Sequence, residues 1–175
     1  YVADTRRDAG GSRIWRVARD GRKESVATLP VRIGGMCLSP DQTLLYATDA
    51  ETHWVYSFQV DAQGALQHGQ QYFWLHSPDD TGTAGAGGIA VDRDGRVYVA
   101  TRLGVQVCDQ AGRVNCILPL PDSGSRGREV SAVAFGGPQG EDLYAVSEGR
   151  LYRRRLAVRG RASWEPANKP AAPRL

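Results

Sequence analysis

The chain has 175 residues, with 22 Lys and Arg against 19 Asp and Glu, and a formal net charge of +3. That size suits one domain with a sizeable core, and a mild, well-mixed charge singles out no polyanionic partner. No apolar run is long enough to span a bilayer as a helix, and the 21 Gly and 9 Pro punctuate the chain without forming a low-complexity tract.

Taken from the start, Tyr1–Asp4 (YVAD) reads as a short strand, followed by strand-like segments at Arg13–Ala18 and Glu24–Ala27. Residues 34–49 read GGMCLSPDQTLLYATD. There the apolar run Met36–Leu38 meets a turn at Ser39-Pro40-Asp41-Gln42, and Leu44–Thr48 is the next strand. His53–Val60 alternates Trp54, Tyr56, Phe58 and Val60 with His53, Val55, Ser57 and Gln59, the pattern of a half-buried strand. A turn at Asp61–Gly64 leads to a fourth strand expected at Gln70–Leu75.

The same phrase returns as GGIAVDRDGRVYVAT at 87–101 and as VSAVAFGGPQGEDLYAVS at 130–147, and YVAD is its tail. Tyr1, Tyr46, Tyr98 and Tyr144 fall 45, 52 and 46 positions apart. A repeat of roughly 40–50 residues built from short strands is the mark of a β-propeller blade. The expected fold is therefore all-β, with four-stranded antiparallel blades whose first strand lies innermost. Residues 34–75, 87–121 and 131–164 make three blades, and residues 1–29 supply the last three strands of another. About four blades thus fill residues 1–165, and the Pro-rich tail 166–175 (PANKPAAPRL) is expected to lie extended over the surface.

An open arc of blades leaves unpaired strand edges. Residue 1 is accordingly read as an internal position of a longer protein. Either further N-terminal blades or a protein partner would cover the edges.

Cys37, Cys108 and Cys116 form no CxxC or Cys/His metal spacing. Cys108 and Cys116 flank a hairpin turn at Ala111-Gly112, and whether they face each other depends on the register across it. Arg153-Arg154-Arg155, with Arg159 and Arg161, makes a basic cluster in the last blade, read either as a solvated outer face or as a patch for an acidic partner. It lacks the interleaved aromatics that stack on bases, so nucleic acid is not an expected ligand.

Several stretches resemble the SMP-30/gluconolactonase/LRE-like family: GGMCLSPDQTLLYATDAETHWVYSFQVDAQGAL, GGIAVDRDGRVYVATRLGVQVCDQAGRV, AFGGPQGEDLYAVSEGRLYRRRL and the closing KPAAPRL. LGVQVCDQAGRV and the FGGP–LY spacing resemble one bacterial branch in particular. GGIAVDRDGRVYVAT by itself also resembles NHL-repeat interaction propellers, which remain an alternative. The resemblance implies a six-bladed propeller with a divalent cation, often calcium, at the top of the central channel. It implies hydrolysis of sugar-acid lactones or other esters. In that chemistry the cation polarises the carbonyl and an Asp serves as general base for water. Relatives of this branch often carry export signals, and the Gly/Thr-rich loops suit a periplasmic or secreted protein.

The resemblance also exposes departures. The family's cation-binding Asn falls on Gly34 and its Asp, the general base, falls on Gly87. At the third inner strand the branch's Ser-Asn reads Ser131-Ala132. The family's Glu ligand belongs to a blade outside this chain. Glycine has no side-chain oxygen, so the metal and base site is expected to be broken. The chain then reads as a binding or assembly module, the alternative being a metal-dependent lactonase with a rebuilt site that restores a divalent cation.

The remaining candidates sit on loops expected at the top of the channel. His76–Ala86 is the longest, with His76 as a displaced base and Asp79 and Asp80 as substitute ligands. The loops between second and third strands carry Asp49, Glu51, His53, Arg102 and Glu148, with Arg102 placed to hold an anionic substrate. Each also has a bland reading: a capped strand end, a solvated acidic turn, a surface ion pair.

Overall fold

The computed structural model describes residues 1–5, 11–121 and 129–173. The described residues form fourteen strands and no helix. They are grouped in four antiparallel meanders. The first sheet holds β1 (Val2–Asp4), β2 (Ser12–Val17) and β3 (Lys23–Leu29). The second holds β4 (Ile33–Leu38), β5 (Leu44–Asp49), β6 (Trp54–Val60) and β7 (Leu66–Trp74). The third holds β8 (Ile89–Val91), β9 (Val97–Thr101), β10 (Gly104–Cys108) and β11 (Val114–Leu118). The fourth holds β12 (Ala132–Gly136), β13 (Asp142–Ser147) and β14 (Arg150–Arg155). Within each sheet the strands lie in chain order, and β8 packs beside both β4 and β12.

Strand alternation explains how four sheets share three cores. Successive residues of a strand face opposite sides of the sheet. On β5, Leu45 and Ala47 join Ile14, Leu29 and Phe58 between the first and second sheets, while Tyr46 points the other way. On β9, Val97 and Val99 pack with Phe73 and Val55 between the second and third sheets. Tyr98 and Ala100 pack with Val105, Val133 and Leu143 between the third and fourth. Phe73, Val55, Val97 and Val99 are fully enclosed, and each such side chain contributes about 1.5–3 kcal/mol by leaving water. β5 and β9 therefore each feed two cores, and the sheets stack face to face around an axis. That is the β-propeller.

The tight turns rest on one repeated device. An Asp accepts the backbone N–H groups two and four residues on, at Asp61 (Gln63, Ala65), Asp92 (Asp94, Arg96) and Asp109 (Ala111, Arg113). An Asp side chain that mimics a turn carbonyl fixes the hairpin without help from the core. It also explains why β7 begins at Leu66, four residues before the expected Gln70. The Asp61 turn closes tightly enough for Leu66 to pair with Val60 at once, and slips in the register absorb the extra length.

The fourth sheet departs from the expectation of four strands in 131–164. Three strands form among the described residues, and after β14 the chain turns beneath the arc. The Arg93 N–H donates to the Arg159 carbonyl and the Arg161 N–H to the Val91 carbonyl, both at 2.9 Å, so 159–161 continues the pairing of β8. Gly160 permits this crossing, because a Cβ there would collide with the Phe135 side chain. The tail follows the same underside: the Asn168 N–H donates to the Pro40 carbonyl and the Gln110 amide to the Ala171 carbonyl, each at 2.8 Å.

Cys116 lies opposite Val107, and a bulge places Cys108 opposite Val114, so the two thiols do not face each other. All three cysteines are free.

Candidate functional site

The top of the channel is where β4, β8 and β12 begin, and the residues there are Gly34-Gly35, Gly87-Gly88 and Ser131-Ala132. The three strands meet backbone to backbone. The Gly88 N–H donates to the Ser131 carbonyl at 3.0 Å. The Thr48 hydroxyl, fully buried on β5, donates to the Gly87 carbonyl at 2.8 Å. A bulge between Ile33 and Met36 lets Gly34 and Gly35 leave the regular ladder of the second sheet.

This closeness decides what Gly34 and Gly87 can become. A Cβ on Gly34 would run into the Ala86 carbonyl oxygen, and one on Gly87 into the Ser131 carbonyl oxygen. Cβ positions on Gly35 and Gly88 would lie 2.9 Å from the Gly87 oxygen and 3.0 Å from the Ala132 Cα. In each case the obstacle is backbone of the next sheet, which cannot rotate away as a side chain does. The glycines are thus a packing requirement of the neighbouring inner strands.

The other candidates do not converge on this point. Asp49 is buried at the end of β5, across from Ile33, where it accepts the Glu51 N–H at 2.8 Å and the Thr52 hydroxyl. Burial pushes its carboxyl up from the usual range, against the pull of the Thr52 hydrogen bonds and the Arg32 charge. The carboxylate holds its own loop. His53 Nδ1 lies 2.8 Å from the Leu75 carbonyl, and its ring stacks on Trp74 at 4.5 Å. His76 has an exposed side chain, and its backbone is gripped by the Gln106 amide: the His76 N–H donates to Gln106 Oε1 at 2.9 Å, and Gln106 Nε2 donates to the His76 carbonyl at 2.8 Å. Asp79 and Asp80 are exposed in a turn where the Thr81 N–H donates to the Pro78 carbonyl at 3.1 Å. Arg102 packs against Gly85, and its Nε is buried with no hydrogen-bond partner. Glu148 is exposed beyond β13, with a positive φ of 49°.

A divalent cation does not fit the residues present at the channel top. Among the described residues no three His, Cys, Asp or Glu side chains gather as a cation site. Carbonyl oxygens supply ligands for calcium but no anionic charge and no base.

Two structural residues were not singled out from sequence. Thr48 ties one sheet to the next, and nothing in LLYATD marks it. Gln106 did carry a signal: it is a polar residue within GVQVC, a strand buried at every position. It spends its amide on His76 and on the Thr101 hydroxyl at 3.1 Å.

Fold and site together define a β-propeller whose inner-strand starts line the mouth of the channel. The chain belongs to the SMP-30/gluconolactonase/LRE-like region family, which matches residues 3–149. It is 28% identical over 149 residues to pentonolactonase XacC of Haloferax volcanii, covering 81% of this chain and 47% of that protein. It is 26% identical over 159 residues to a gluconolactonase of Zymomonas mobilis, covering 84% of this chain and 41% of the relative. The fold superposes on the solved structure of a gluconolactonase from Xanthomonas campestris with a TM-score of 0.71 and 22% identity, over 86% of this chain and 46% of that one. The chain spans less than half the length of these relatives.

Proposed function

We propose that this chain is a non-hydrolytic member of the family, a propeller kept for binding or assembly. The single observation behind the proposal is the close packing at Gly34 and Gly87. Where the resemblance places an Asn ligand and an Asp base, the backbone of the neighbouring strand takes the volume a side chain would need. A fold survives loss of its site because the cores between its blades do not depend on the catalytic side chains. In this reading the outward faces of the first and fourth sheets are covered by further blades or by a protein partner.

The test is hydrolysis of glucono-1,5-lactone and a pentonolactone with calcium, zinc or manganese added. Rates equal to the buffer background are expected. Turnover that needs a metal and stops with a chelator would overturn the proposal.

The second reading, a metal-dependent lactone hydrolase with a rebuilt site, is favoured by one observation. The relatives that match over four-fifths of this chain carry lactonase names. It requires ligands from outside the described residues, and the same assay decides it.

A further inference from the structure

We infer that the opposite, lower end of the channel is a binding site for a small organic anion with an apolar body. This goes beyond the function proposed above, since it concerns neither the channel top nor any hydrolysis.

The cavity there measures about 470 Å³, within the range that takes a small molecule. Its walls are the far ends of the three inner strands, with Met36, Leu38, Ile89, Val91, Val133 and Phe135. Its floor is the segment that passes beneath the arc after β14, residues 159–165. The exposed indole of Trp164, 87% accessible, stands at the rim. An aromatic of that size left open at a cavity mouth supplies a flat apolar surface for a ligand.

The charge is as specific as the shape. Three arginines, Arg93, Arg159 and Arg161, line the cavity against one acidic residue, Glu165. The Arg161 side chain is 2% exposed. Its Nη2 donates to the Glu165 and Pro166 carbonyls. Its Nε and Nη1 have no hydrogen-bond acceptor; Nη1 forms an ion pair with Glu165 Oε2 at 3.7 Å, too long for a hydrogen bond, and that oxygen has no hydrogen-bond donor. Glu165 turns its other oxygen to Arg93 at 3.2 Å. A buried guanidinium with unused donors is costly. A carboxylate from a ligand would satisfy them, and guanidinium is the cation best shaped to receive it. The Arg161–Arg159 pair was read from sequence as part of one outer basic cluster. The structure separates Arg161 from Arg153–Arg155 and buries it beneath the channel.

The apolar walls exclude a bare inorganic anion as the preferred ligand, and the arginines exclude a neutral one. Calorimetric titration of the protein with 4-phenylbutyrate, with 4-phenylbutan-1-ol and with inorganic phosphate separates these cases. Saturable binding of 4-phenylbutyrate is expected, about tenfold or more tighter than either comparison compound. Arg161→Gln should weaken it by about tenfold or more. Ala134→Phe, which adds a ring from an exposed inner-strand position lining the cavity and leaves every charge in place, should abolish it. If Arg161→Gln does not fold, the acid-against-alcohol comparison and Ala134→Phe decide. No saturable binding by the unaltered protein, equal binding of acid and alcohol, or binding untouched by Ala134→Phe overturns the inference.

Discussion

The hydroxyl of Thr48 donates to the carbonyl of Gly87 at 2.8 Å, joining the second strand of one blade to the first strand of the next. The bond fits because Gly34 and Gly35 carry no side chain and the two sheets close to backbone contact: a Cβ on Gly34 would lie 3.0 Å from the Thr48 hydroxyl and 3.1 Å from the Gly87 Cα. The position to which the resemblance assigns a general base serves the packing between blades.

Restoring the family's side chains should therefore destabilise the protein. Gly87→Asp and Gly34→Asn each force a backbone shift against Ser131 or Ala86, at a cost of about 1–3 kcal/mol. Urea unfolding midpoints measure it. Variants as stable as the unaltered protein would show that the inner strands part easily.

Thr48→Val keeps the shape of a fully buried residue and removes the bond to Gly87. The expected loss is about 1–2 kcal/mol, read from the same unfolding curves.

Gln106→Leu should cost about 1–3 kcal/mol, because it leaves the His76 N–H and carbonyl without their partner. Hydrogen exchange should quicken at the His76 amide and remain slow in the cores.

The Asp49 carboxyl titrates above its unfolded value because it is buried. The folded protein thus holds this proton more tightly than the unfolded chain does. The associated stability is present below the unfolded pKa, near 3.8, and is lost as pH rises through the folded value. Asp49→Asn keeps an acceptor for the Glu51 N–H and removes the titration. Relative to that variant, the unaltered protein should lose stability from about pH 3.8 upward and level off above the folded pKa. Chemical unfolding at a series of pH values measures the difference. A difference that grows in favour of the unaltered protein over that window would contradict the assignment.

Cys116 is exposed, whereas burial pushes the Cys108 thiol up to about 12. A thiol reagent should modify Cys116 in the folded protein and reach Cys108 only on unfolding. Peptide mapping after brief labelling distinguishes them.

The fold was legible because a blade repeats and each repeat carries its own turn signals. Pro40-Asp41, Asp61 and Ala111-Gly112 mark turns by local chemistry, which needs no tertiary information. The alternation of Trp54, Tyr56 and Phe58 placed β6 for the same reason. The path after β14 was not legible, because Gly160 looks like any loop glycine until Phe135 is seen against it. Burial of Arg161 was hidden likewise: a run of arginines reads as a solvated face, and only the return of the chain under β8 encloses one of them.

At the candidate site the family resemblance implied where ligands would be expected, but the sequence did not show what occupies those places. Gly34 and Gly87 read as deletions, while the approach of Ala86 and Ser131 is a long-range fact. Asp49, His76 and Arg102 were read as loop residues at the top of the channel; Asp49 closes β5, and His76 and Arg102 follow β7 and β9. What each does there, holding its own loop, being held by Gln106, or packing on Gly85, depends on partners far along the chain.

The most direct test of the account is calorimetric titration of the protein with calcium, zinc and manganese. No saturable heat is expected from any of the three, because the inner-strand starts offer neither charge nor room for a ligand side chain. Tight, stoichiometric binding of any one would contradict the account and place a working cation site in this propeller.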